Sequence, residues 1–144
     1  GINTTIDKSK DAAADAEGQT QAYSIYTAAT FDADGKITSN VIDASQATVK
    51  FDAAGKISTD LTAPVKTKVE LGDEYGMRGA SKIGKEWFEQ AASFSEYVLG
   101  KTSEEVAAIA VDGGKATDAD LVSSVTVGID EFQLVIEKAA ATAK

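Results

Sequence analysis

The sequence has no cysteine and no histidine. It also has a single proline, Pro64, and a single arginine, Arg78. Without cysteine there are no disulfides, thiolate metal sites, iron–sulfur clusters or thiol nucleophiles. Without histidine the commonest general base and the commonest zinc ligand are missing too. What remains for chemistry is carboxylates, lysines, tyrosines and hydroxyls, and no paired set of them stands out, so a stand-alone enzyme is not expected. Basic character is scarce as well: 14 lysines and arginines face 23 acids, for a net charge of −9. With no basic stripe, neither nucleic acid nor an anionic membrane surface is an expected partner. No apolar run is long enough to span a bilayer. The 144 residues are enough for one domain and one core, so residues 1–144 read as a single unit.

The clearest pattern present is an internal repeat. Phe31-Asp32-Ala33-Asp34-Gly35-Lys36-Ile37 recurs twenty positions later as Phe51-Asp52-Ala53-Ala54-Gly55-Lys56-Ile57. In each copy an alternating run ends at Phe, the turn offers a glycine suited to positive φ, and a β-branched residue leads the chain back. Two consecutive hairpins are predicted, one pairing 21–31 with 36–43 and one pairing 46–51 with 56–61. Residues 2–9 supply an edge strand, and 10–18 a loop. This predicts an α+β fold, an antiparallel β-meander covered on one face by three to four helices. Asp32, Asp34 and Asp52 read as turn residues, since the spacing lacks the later glutamate of a calcium loop.

After Pro64, Val65, Val69 and Leu71 suggest one more strand. A glycine-rich segment, 71–84, follows and carries Tyr75, Met77 and Arg78. Free amides at a helix start beside the one guanidinium make a candidate anion site, for a phosphate or a flavin ring edge, against the alternative of a structural loop. A helix is expected from Ser81 or Ile83 to Leu99, with Ile83, Trp87, Ala91, Phe94 and Val98 on one stripe and Gly100 as its stop. Thr102 and Glu105 form a capping box for a short helix that ends at Asp112-Gly113-Gly114. Asp130 caps a last helix in which Phe132, Val135, Ile136, Ala139 and Ala140 share a face.

Between those helices lies the segment 117–127. Thr117 and Asp120 match a capping box, and Val125, Val127 and Ile129 alternate with Thr126 and Gly128 at the period of a half-buried strand, turning Thr126 away from the apolar side. Asp120-Leu121-Val122-Ser123-Ser124-Val125-Thr126 resembles the D-x-x-(S/T)-(G/S)-A-T signal of FMN-binding domains, in which a flavin transferase esterifies the final threonine with FMN phosphate. It matches at Asp120, Ser123, Ser124 and Thr126 and departs at Val125, where the family usually has alanine. With the double F-D-x-x-G-K-I and the Glu70-Leu71-Gly72-Asp73-Glu74-Tyr75-Gly76-Met77 stretch, most of the chain resembles secreted or lipid-anchored bacterial FMN-binding-domain proteins of clostridial type. These are distantly similar to the flavinylated domains of sodium-pumping NADH:quinone reductases.

The resemblance implies an extracellular or cell-surface electron carrier with FMN tethered at Thr126, and a flavin transferase and a redox partner as its partners. Asp120, Ser123, Ser124, Tyr75, Met77 and Arg78 are the other candidate cofactor-binding residues. The start at Gly1-Ile2 fits a chain from which a signal segment or lipid anchor has been removed, the anchor being its one expected link to a membrane. The alternative is a non-catalytic cell-envelope module of the same fold that binds a ligand or a protein and carries no flavin.

Overall fold

Strands β2 (Gly18–Phe31) and β3 (Ile37–Phe51) form one long antiparallel hairpin in a computed structural model that describes residues 1–143. Pairing runs from Gly18 opposite Phe51 to Phe31 opposite Ile37. At the tip, an Asp32 carboxylate oxygen accepts from the amides of Asp34 and Lys36, both at 2.9 Å, while Gly35 takes φ +76°. β1 (Ile2–Thr5) pairs antiparallel along the other side of β2, giving the order β1-β2-β3. The register slips by one residue between Thr30 and Phe31. That irregularity restores side-chain parity, so Ile37 and Ile42, an odd number apart, both reach the core.

The second predicted hairpin is corrected. Residues 46–51 are the far end of β3 and pair with β2, and the segment 56–61 keeps only a single bridge, Ile57 to Phe51. The turn itself forms as in the first copy, Asp52 accepting from Ala54 and Lys56. What differs is the returning chain: Ile57 and Leu61 are exposed, so no apolar face there rewards a strand. The strand suggested at 65–71 is also absent, and Lys68–Leu71 is instead the short helix α1. Thr67 and Glu70 cap it reciprocally. A bridge from Thr67 to Ser45 and a bond from the Val69 amide to Asp43 fasten α1 to the edge of β3.

A 3-10 turn, Gly72–Tyr75, leads through a loop to α2 (Trp87–Tyr97), which starts later than the predicted 81 or 83. Its buried stripe is Trp87, Ala91, Phe94 and Val98, as the spacing predicts, with Ile83 left in the loop. α3 (Ser103–Ala107) has the expected Thr102–Glu105 box but ends at Ala107, short of the predicted stop at Asp112-Gly113-Gly114, where the chain is already in a strand. The hairpin of β4 (Val111–Asp112) and β5 (Lys115–Ala116) turns at Gly113 and Gly114, whose φ of +54° and +80° admit little but glycine. The short α4 (Ala119–Val122) and the long α5 (Asp130–Thr142) complete the chain. α5 begins at Asp130 with Ile129 in the capping position, so Asp130 lies in the first turn instead of at the cap.

The architecture is α+β: a three-stranded antiparallel meander with α2 packed on β3 and α5 on β2 and β1. Ile25, Ile42 and Ala44 from the sheet meet Phe94, Val98, Phe132 and Ile136 from the helices. Phe132 joins the two helices, edge-on to Trp87 (centroids 5.7 Å apart) and tilted against Phe94 (5.2 Å). No helix among the described residues is long and apolar enough to cross a membrane.

Candidate functional site

The segment around Thr126 is held from below by one buried side chain. Gln90, on α2 beside Trp87, is fully buried, and its Oε1 accepts from the Thr126 amide (2.8 Å), the Val127 amide (3.1 Å) and the Thr126 hydroxyl (3.2 Å). Its Nε2 donates to the Lys85 carbonyl (3.1 Å) and Ser81 Oγ (3.3 Å), which uses the full capacity of the amide. From the other side the Ile129 amide donates to the Gly114 carbonyl at 2.7 Å, and Gly128 bridges Lys115.

Residues 125–129 form no regular strand, which corrects the sequence expectation, yet their burial alternates as a strand's would: Val125, Val127 and Ile129 are buried, Thr126 is half-buried and Gly128 exposed. Gln90 takes two consecutive amides, which in a regular strand would point to opposite sides. Val125 is 1% exposed and packs into the core, so the residue that departs from the family signal points opposite to Thr126. The predicted Thr117–Asp120 box is likewise replaced. Asp118 caps α4, accepting from the amides of Asp120 and Leu121, and Thr117 donates to the Ala110 carbonyl.

Thr126 forms part of the wall of a cavity of about 400 Å³. Tyr23 from β2, Tyr75 from the 3-10 turn, Met77 and Trp87 supply its apolar lining. Lys68 from α1 projects among the rings, its ammonium 4.6 Å from the Trp87 centroid, 4.8 Å from Tyr75 and 4.9 Å from Tyr23. Lys68 is 6% exposed. Among the described residues, its ammonium forms no ion pair, and since no fully buried polar side-chain atom lacks a partner, it keeps access to the cavity. Cation–π attraction to three rings is its local compensation. Burial pushes its pKa down from 10.5 to about 8, against the pull of Glu131 and Asp43 in the other direction. The same burial raises the Tyr23 and Tyr75 phenols, helped by Glu131 and Glu86 respectively, so both rings stay neutral. Glu131, also on the cavity wall, has its carboxyl raised first by burial and then by Asp130.

Of the residues predicted from sequence, Thr126, Tyr75 and Met77 meet at this cavity. Asp120 and Ser123 are exposed, and Ser124 is half-buried. Their hydrogen bonds close α4: the Ser123 hydroxyl donates to the Asp120 carbonyl and the Ser124 hydroxyl to the Leu121 carbonyl. Arg78 points elsewhere, bonding Asp73 (2.7 Å), Glu89 (2.9 Å) and the Gly84 carbonyl (3.1 Å).

The glycine-rich segment does hold an anion, but on loop amides and not at the helix start, and the anion is the chain's own carboxylate. Glu86, 1% exposed, accepts from the Met77 amide (2.8 Å) and the Arg78 amide (2.7 Å). Sequence reasoning missed Gln90, although a polar residue three positions after Trp87 on a buried stripe is a visible signal. It also missed Lys68, which lay inside a segment read as a strand.

No family model and no solved structure matches the chain. One curated protein does: a 41-residue stretch, 28% of this chain, is 51% identical to a chlorophenol reductase of Desulfitobacterium hafniense. The match spans 12% of that protein's length.

Proposed function

We propose that the chain is an FMN-binding electron-carrier domain that works outside the cell or at its surface, with FMN esterified through its phosphate to Thr126 by a flavin transferase. The observation that carries this reading is the position of Thr126, half-buried, on the wall of an aromatic cavity large enough for a small planar ligand. FMN supplies the redox chemistry when bound. The chain contributes the rest. Tyr75 and Trp87 offer ring faces and Met77 a polarisable edge. Gln90 fixes the backbone of the acceptor residue and holds its hydroxyl, so an attacking oxygen stays at the cavity wall. Buried Lys68 offers positive charge to an electron-rich ring, the role that sequence reasoning gave to Arg78.

The short similarity to a chlorophenol reductase fits a setting in reductive chemistry. The deciding experiment is co-expression with a flavin transferase that modifies a known acceptor in the same cells, followed by peptide mass spectrometry. FMN should appear on the peptide containing Thr126 and vanish in Thr126→Val. A folded chain without FMN beside a modified control defeats the reading.

A second reading, a cell-envelope binding module without flavin, draws on a groove of about 420 Å³ between α2 and β3. Val41, Val69, Phe88 and Leu99 line it, remote from Thr126, and three of the four are well-exposed aliphatics.

A further inference from the structure

We infer that the Tyr23–Tyr75–Trp87 cavity is a recognition site for planar aromatic rings whose edge carries negative charge, and that the Lys68 ammonium is the group that reads the charge. This goes beyond the tether at Thr126 and applies to the unmodified chain.

Three observations converge on it. Lys68 is more than nine-tenths buried and its ammonium lines the cavity without a carboxylate or hydrogen-bonding partner among the described residues. Such a cation is costly to bury, and the acids that act on it, Glu131 and Asp43, stop short of ion-pair distance. Second, Lys8, Lys68 and Lys115 line the cavity with the single carboxylate of Glu131, on a protein whose net charge is −9; Lys8 pairs with Asp7 at 3.6 Å, which leaves Lys68 and Lys115 facing Glu131. Third, the rings around the ammonium approach from three separate elements, β2, the 3-10 turn and α2, so an aromatic ligand entering the cavity meets ring surface and cation together.

The test uses the unmodified, isotope-labelled chain and two probes of one shape, 2-naphthoate and its neutral amide 2-naphthamide. The reporters are the indole N–H of Trp87, the one tryptophan, and the backbone amides of Val127 and Gly128. Naphthoate should move these signals and bind roughly tenfold more tightly than the amide. Lys68→Met should erase the difference, and Lys68→Arg should keep part of it. A purely structural lysine would leave the preference unchanged in the Met variant.

Should Lys68→Met fold poorly, the wild-type chain carries the same test. The naphthoate preference should decline between about pH 7 and about pH 9 as Lys68 loses its proton. The other charged or titratable groups facing it are Glu131 from α5, Asp43 from β3, Tyr23, Tyr75, and the Lys8 and Lys115 side chains on the same wall. The phenols are pushed upward and stay neutral across that range. Equal affinities for the two probes, no binding of either, or shifts confined to Val41 and Val69 in the α2–β3 groove would overturn the inference. FMN missing from Thr126 would defeat the tether alone, and equal probe affinities would defeat the charge reading alone.

Discussion

Arg78 and Lys68 lie ten residues apart, and their surroundings have opposite logic. Arg78 is exposed and shared between Asp73 and Glu89, and beside it the Glu86 carboxylate occupies the free amides of Met77 and Arg78. Lys68 is buried among three rings with no carboxylate within 4 Å among the described residues. A cation already satisfied by its own chain closes a loop; a cation held without a counter-charge has capacity left for a ligand. The glycine-rich segment therefore belongs to the scaffold of α2, and the cavity is where the proposed function rests.

The contrast can be pressed hardest at Glu86. Glu86→Ala leaves two amides without their acceptor and the guanidinium beside them, and should cost about 3 to 4 kcal/mol in urea unfolding. A loss below about 1 kcal/mol would mean that the segment does not depend on its internal anion. Gln90→Ala comes next, at about 2 to 3 kcal/mol, because it strands the Thr126 and Val127 amides; faster hydrogen exchange at those two amides should accompany it.

Lys68→Met should go the other way at neutral pH, raising stability by about 3 kcal/mol. The folded-state pKa of Lys68 is depressed, so between about 8 and 10.5 the unfolded chain binds the proton and the folded chain does not. Wild-type stability thus gains across that window relative to the variant, and the full penalty is present below about pH 8. Parallel pH profiles for the two proteins would contradict the buried-cation account. Smallest of all, Arg78→Gln should shift Tm by no more than about 2 °C, less at high salt, and leave naphthoate binding untouched.

Much of the scaffold was legible in the sequence because periodicity and capping are local. The Trp87–Phe94 stripe, the Thr102–Glu105 box and the last helix are each decided within a few residues. The second hairpin was misread because both copies of the repeat carry the same turn, while pairing is decided by the partner strand. Residues 46–51 have β2 beside them, and 56–61 offer nothing that would displace it.

The site divides in the same way. Thr126, Tyr75 and Met77 came from a motif and a segment, and they converge in space. Lys68, Gln90 and Tyr23 reach the same place from α1, α2 and β2, a juxtaposition that tertiary packing alone creates. Asp120 and Ser123 fit the motif, yet their contacts finish a helical turn.

The central claim is that the ring of a tethered flavin lies in the cavity beside Trp87. Its most direct measurement is the fluorescence of that single tryptophan in the flavinylated chain compared with the unmodified one. Strong quenching on attachment, relieved when the flavin-bearing protein is unfolded at the same concentration, is the expected result. Emission unchanged with FMN present on Thr126 would put the ring outside the cavity and contradict the account.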